Sequence, residues 1–343
     1  MHLQPSLALG SSLYPLPIIL TRTLVREKWN LPQASIISSV KKSQLRLQAD
    51  LLLLIVAVIW GSAFVVQRIA GQHMGVFIFN GLRFLLGALI LFPFAFLKWR
   101  IPRIGDVERT AVAFRAVSLP LVAGSALFIA SSLQQAGLEQ TTAGNASFIT
   151  SLYVVIIPFL LGIFWKQRTR LQIWAAAAVA VAGAGLLSTG GVRFALAPGD
   201  SLELLGAFFW ALHVIVVGLA VKSFQVLRFS VAQYCVAGLL NLAAGFLFYP
   251  EPLTGIAEAW WTILYIGLLS TAVGYTLQAV GQKHAPPSDA AILLSLEAVF
   301  GALFGWMVLG EMLNPVQMIG CILIFLGVII AQGGQMPDTI GGQ

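Results

Sequence analysis

Charge is what this chain has least of. Asp, Glu, Lys and Arg make up 10% of its 343 residues, against about 25% in ordinary soluble domains. Hydrophobic residues supply 58%. A chain so apolar lacks the polar surface to fold as a soluble two-domain protein. It must satisfy its backbone within lipid, as a bundle of spanning helices or as a closed barrel. Period-two alternation is also missing. The apolar stretches run unbroken for about 18–23 residues, which excludes barrel strands and fits helices that cross a bilayer.

Cysteine is nearly absent too. Cys235 and Cys321 both lie inside apolar stretches, so they read as packing residues, and no disulfide or metal site is expected. Only one of the four histidines, His213, falls within a span, and no HExxH or paired-aspartate motif is present. An intramembrane enzyme would need such a cluster near a membrane face, so the chain is not read as an enzyme, and no cofactor is expected. The net charge of +7 would suggest nucleic acid in a soluble protein. Here the basic residues sit mainly in short loops, which is a feature of membrane topology, so no nucleic-acid partner is expected.

What is present is a set of ten apolar spans. They cover Asp50–Ile69, Val76–Leu97, Ala116–Ala136, Thr142–Phe164, Leu171–Ser188, Ser201–Val221, Arg228–Phe248, Trp260–Gly281, Pro287–Leu309 and Pro315–Gln332. Residues 1–48 differ from the rest. They hold Arg22, Arg26, Lys28, Lys41, Lys42 and Arg46 against Glu27 alone, and are expected to form a disordered basic tail. Residues 333–343 form a second, shorter tail. With the N-terminus in the cytoplasm, the inner segments carry 17 Lys/Arg and the outer loops two, Arg68 and Arg193; Lys283 lies in the inner loop between spans eight and nine. That bias places both termini in the cytoplasm of a multi-pass protein of the cell or inner membrane.

The chain also repeats. At a shift of 144 residues, Gln134, Ala146, Ser151, Leu152 and Gly183 meet Gln278, Ala290, Ser295, Leu296 and Gly327. At a shift of 150, Trp60 meets Trp210 and Arg83 meets Gln233. Residues 50–188 and 201–332 are therefore two halves of five spans each. Five is odd, so the halves enter the membrane in opposite directions. The fold expected is all-α, with ten transmembrane helices as two inverted five-helix repeats. Inverted repeats are a transporter device that encloses a site near the midplane.

Arg83-Phe84 early in span two, Ser295-Leu296-Glu297 in span nine and Gly310-Glu311 at its end, set in a 5+5 repeat, resemble the EamA-type drug/metabolite transporters. The likeness covers about Asp50–Gln332. It departs at Ala298, where the family usually has Pro. In the first repeat, Tyr153 stands at the place matching Glu297, and Lys166-Gln167 at the place matching Gly310-Glu311. The resemblance implies export, or sometimes uptake, of small polar metabolites such as amino acids, often driven by a proton gradient. A nucleotide-sugar or sugar-phosphate carrier is the alternative within transporters, though such anions favour more buried Lys/Arg than Arg83 alone. A channel or receptor-like subunit is the rival outside them.

Two charges carry most of the functional reading. Glu297 lies about ten residues into span nine, near the midplane at 1.5 Å rise per residue. A carboxylate there binds a cation or carries a proton, or else it permanently ties two helices together. Arg83 lies about 10 Å into span two. It either pairs with a substrate carboxylate or snorkels to the surface. Together the two fit a zwitterion. Trp60, Asn80, Tyr153, Gln233, Tyr275 and Gln278 are the further substrate-binding candidates, although a buried midspan amide more often joins helices. His213 joins Glu297 as a candidate for proton coupling. The partners expected are a small-molecule substrate and the lipid bilayer. Glycines in spans five and ten (Gly183, Gly185, Gly320, Gly327) suggest that these helices meet, as a central seam or a homodimer interface.

Overall fold

The computed structural model describes residues 19–96, 106–141, 143–191, 198–248, 253–310 and 312–333. The chain falls into two units, Met1–Leu45 and Arg46–Gln343. One helix, Ile19–Gly71, begins in the first unit and runs on as the first span. The disordered tail expected over residues 1–48 is therefore helical from Ile19 onward. Its Arg, Lys, Glu, Gln and Leu residues are good helix formers, and no glycine interrupts them. Residues 1–18 and 334–343 lie outside the described residues, as does Glu311.

Among the described residues, ten helices are long and apolar enough to cross a membrane. Spans 1 to 5 are Ser43–Gly71, Val76–Phe96, Val117–Leu138, Ala146–Trp165 and Leu171–Thr189. Spans 6 to 10 are Pro198–Ala220, Val226–Leu247, Ile256–Gly281, Pro287–Leu309 and Pro315–Gly333. Several begin before the apolar pattern does, because a helix keeps its hydrogen bonds after it leaves the hydrocarbon. Large apolar side chains such as Leu89, Phe164, Leu171 and Leu247 stay exposed on the outside of the bundle, as a lipid-facing surface requires.

The packing follows the repeat. Span 5 lies against span 10, and span 2 against span 7, so equivalent helices of the two halves meet each other. Span 3 packs on span 6, and Gly274 and Gly281 bring span 8 against Trp60 and Leu53 of span 1. The glycine seam is central to the 5–10 contact. A Cβ on Gly183 would lie 2.6 Å from the Gly320 carbonyl oxygen, and one on Gly327 would lie 2.9 Å from that of Ala176. These glycines are spent on contact within the chain.

Two spans are interrupted at matching points. Span 4 consists of Ala143–Ser151 and Tyr153–Trp165, and span 9 of Pro287–Leu294 and Glu297–Leu309. At each junction a serine hydroxyl turns back on the carbonyl three residues earlier, Ser151 to Phe148 at 2.6 Å and Ser295 to Ile292 at 2.7 Å. The backbone tightens there to i→i−3 bonding, with Leu152 at φ −61°, ψ −15° and Leu296 at φ −60°, ψ −15°. Serine back-bonding of this kind competes with the helical ladder. Span 8 deviates in another way, with a π-helical stretch from Ile266 to Tyr275, a form that often marks functional sites.

Candidate solute cavity

The two junctions meet. Tyr153 and Glu297, the first residues after them, face each other, and the Tyr153 hydroxyl donates to Glu297 Oε1 at 3.0 Å. Glu297 is 3% exposed, and Tyr153 is its one hydrogen-bond partner among the described residues. Both line a cavity enclosing about 440 Å³ of space between atoms, mouth included.

Arg83 forms part of the same wall. Its side chain is 1% exposed. Nε donates to Asn80 Oδ1 at 2.8 Å, and Asn80 is itself anchored by Nδ2 on the Ser131 carbonyl at 3.1 Å. The guanidinium carbon lies 4.7 Å from the Phe84 ring centre and 5.5 Å from that of Phe79. Nη2 has no hydrogen-bond partner. No carboxylate pairs with Arg83 and no cation with Glu297 among the described residues. A buried charge without a counter-ion costs several kcal/mol.

Aromatic rings from three spans make another part of the wall. Tyr275 sits between Trp60, at 4.8 Å between ring centres, and Trp210, stacked at 6.0 Å with planes 14° apart. Trp60 Nε1 donates to the Ser270 carbonyl at 3.4 Å. Trp210 Nε1 has no partner. His213 meets Gln233 Oε1 through Nε2 at 3.0 Å, and its Nδ1 is unpartnered. Gln278 is tied through Nε2 to Gln282 Oε1 at 3.1 Å, which leaves its own Oε1 free. Unsatisfied buried polar atoms are rare in proteins, and here several gather around one space.

Comparison with known proteins decides the class. Residues 47–189 and 197–332 each match the EamA-like transporter family. The chain belongs to that family. An uncharacterized transporter of Archaeoglobus fulgidus is 35% identical over 291 residues, covering 83% of this chain and 86% of its own. The threonine/homoserine exporter RhtA of Escherichia coli K12 is 28% identical over 301 residues, covering 85% and 92%. A solved crystal structure superposes with a TM-score of 0.64 at 17% identity, covering 82% of this chain and 96% of the other. At that identity the likeness is one of fold. This EamA-like chain is thus an integral membrane transporter of ten spans in two repeats.

The cavity of this EamA-like transporter collects most of the residues singled out from the sequence. Glu297, Arg83, Trp60, Tyr153, Tyr275, Gln278 and His213 all line it. Asn80 and Gln233 do not. They stand one layer behind and orient Arg83 and His213. An amide in mid-span looks the same in sequence whether it faces a cavity or braces a neighbour. Trp210, Gln67, Thr150 and Ser270 also line the wall and were not chosen as site residues. Trp210 carried a usable signal, being the repeat mate of Trp60. The hydroxyls of Thr150 and Ser270 carried none. Among the described residues no group of three or more His, Cys, Asp or Glu could hold a metal.

Proposed function

We propose that the protein is a secondary active transporter that exports a small zwitterionic metabolite, an amino acid or a close relative, by alternating access. The observation that carries this reading is the pair of unmatched charges on one wall, Arg83 and Glu297. A single zwitterion supplies both missing counter-ions. Its carboxylate meets the guanidinium, where Nη2 is free, and its ammonium meets the carboxylate that Tyr153 holds. Trp60, Tyr275 and Trp210 offer ring faces to the same ammonium.

Arg83 comes from the first repeat and Glu297 from the second, so a bound solute bridges the two halves. Rocking of one repeat against the other then carries both anchors and the solute together. The E. coli relative is named as an exporter of threonine and homoserine, which are amino acids. A sugar-phosphate or nucleotide-sugar cargo fits less well, because Arg83 is the one Lys or Arg on the cavity wall among the described residues. The bias of basic residues, 17 to 2, supports a cytoplasmic position for both termini, and a proton gradient supplies the drive.

The test is uptake of an amino-acid panel by proteoliposomes, with and without an imposed pH gradient. Saturable, gradient-stimulated uptake of at least one amino acid is expected, with its amide and its deaminated analogue failing to compete. Equal competition by those analogues, or no uptake across the panel, would overturn the reading.

A further inference from the structure

The cavity wall holds two buried charged side chains without a counter-ion among the described residues, and the bundle contains a third. Glu203, in the second turn of span 6, is 0% exposed. Its Oε2 accepts the Thr150 hydroxyl at 3.1 Å, and its Oε1 has no partner. No cation approaches it. Asp200, one turn earlier on the same helix, is the one charged group that acts on it. Span 3 packs against span 6, and its Gly137 lies against the Glu203 carboxyl. Span 4 faces it with Thr150. Neither of these is titratable.

Glu203 belongs to a set of contacts that tie spans 3, 4 and 6 together at this end of the bundle. A Cβ on Gly199 would fall 2.4 Å from the Gly137 carbonyl oxygen, so the two backbones touch. Thr141 donates to Asp200 Oδ1 at 2.6 Å, and Thr150 to Glu203 at 3.1 Å. The contacts at the opposite end are of a different kind. There Arg46 pairs with Asp50 at 2.9 Å and Asp289 at 3.1 Å, and Arg170 reaches Asp289 at 3.5 Å. Those carboxylates have cations beside them. Glu203 has none. As an anion it would be a buried charge resting on one hydrogen bond, whereas as a neutral acid it fits the closed packing.

Thr150 also connects Glu203 to the solute space. Its hydroxyl accepts Gln134 Nε2 at 3.1 Å, and both Thr150 and Gln134 line the cavity. We infer that Glu203 is the proton-binding site of the transport cycle, separate from the solute-binding carboxylate Glu297. When the Asp200 end opens, the carboxylate of Glu203 takes one proton from water and becomes a carboxylic acid. That neutral form allows the end to close. Once the opposite end opens, Glu203 passes its proton to the Thr150 oxygen as the Thr150 hydroxyl proton leaves to cavity water. The carboxylate is restored and one proton has crossed. The site rests on the transporter reading above, but its titration needs no solute.

The experiment is pH-difference infrared spectroscopy of the full chain in lipid vesicles, without solute. The wild type is expected to show a carboxylic-acid C=O band from a buried acid. The band should vanish in Glu203→Gln and persist in Glu297→Gln. Thr150→Val, which removes the hydroxyl and keeps the shape, should shift the band without abolishing it. In proteoliposomes with threonine as probe, Glu203→Gln should lose its stimulation by a pH gradient yet keep gradient-free exchange within about twofold. A band indifferent to Glu203→Gln, in a variant that exchanges threonine normally, overturns the proposal. If threonine is not carried, an amino acid that the panel shows to be carried replaces it as probe; if none is carried, the cargo reading fails while the infrared result still decides the proton site.

Discussion

Spans 4 and 9 hold the same position in the two halves of the molecule and differ where it matters. Both break after a serine that bonds back to the carbonyl three residues earlier. Both place a leucine at nearly identical backbone angles. Both also end on a left-handed residue, Lys166 at φ 53° and Gly310 at φ 71°. Yet one presents Tyr153 to the midplane and the other Glu297. Arg83 and its repeat mate Gln233 diverge in the same way, since the guanidinium lines the cavity and the amide stands behind His213. The repeat conserves the backbone device and divides the charges. The first half brings the cation and the second the anion.

The comparison is broken most severely by removing either charge. Arg83→Ala or Glu297→Gln should weaken amino-acid binding by about 2–4 kcal/mol, roughly 30- to 1,000-fold, because each leaves a ligand charge unpaired. Titration calorimetry on protein with unchanged thermal unfolding checks this. Next comes the seam where equivalent helices touch. Gly183→Leu should destabilise the bundle by about 1–3 kcal/mol through overpacking, seen as a lower Tm in detergent. Gly185→Ala on the same helix should be almost silent, since a Cβ there meets only the Phe148 ring, at 3.8 Å.

Tyr153→Phe should have a smaller effect, on the order of 1–2 kcal/mol of solute affinity, because it deletes the single hydrogen bond that orients Glu297. Stability should hardly change. The smallest effects belong to the two left-handed helix ends. Gly310→Ala should cost about 1 kcal/mol, and Lys166→Gly should gain a similar amount at the equivalent turn. Opposite signs of Tm shift in the two variants would show that one turn serves both halves.

The spans could be read in the sequence because lipid demands about 20 apolar residues per crossing, and few other structures do. The inverted pairing followed from the odd number of spans. Glu297 and Arg83 stood out because an ionised group at that depth is costly and rare, although a helix tie or snorkelling stayed open as its role. Glu203 did not stand out. Five residues from the start of a span, an acid looks like an interfacial residue, and only the packing of span 6 under Gly137 reveals its burial. Asn80 and Gln233 were legible as polar but not as supports, because which way a helix turns depends on its neighbours. The helical start at Ile19 shows the same limit from the other side, since a segment without an apolar face gives no signal that it continues a helix.

One cross of ligands against variants tests the central claim most directly. Binding of an amino acid, its amide and its deaminated analogue is measured on wild type, Arg83→Ala and Glu297→Gln. Arg83→Ala should bind the acid and the amide equally, and Glu297→Gln should bind the amine and the deaminated analogue equally, each keeping the other preference. Variants that lose affinity for all three ligands in the same proportion would contradict the account.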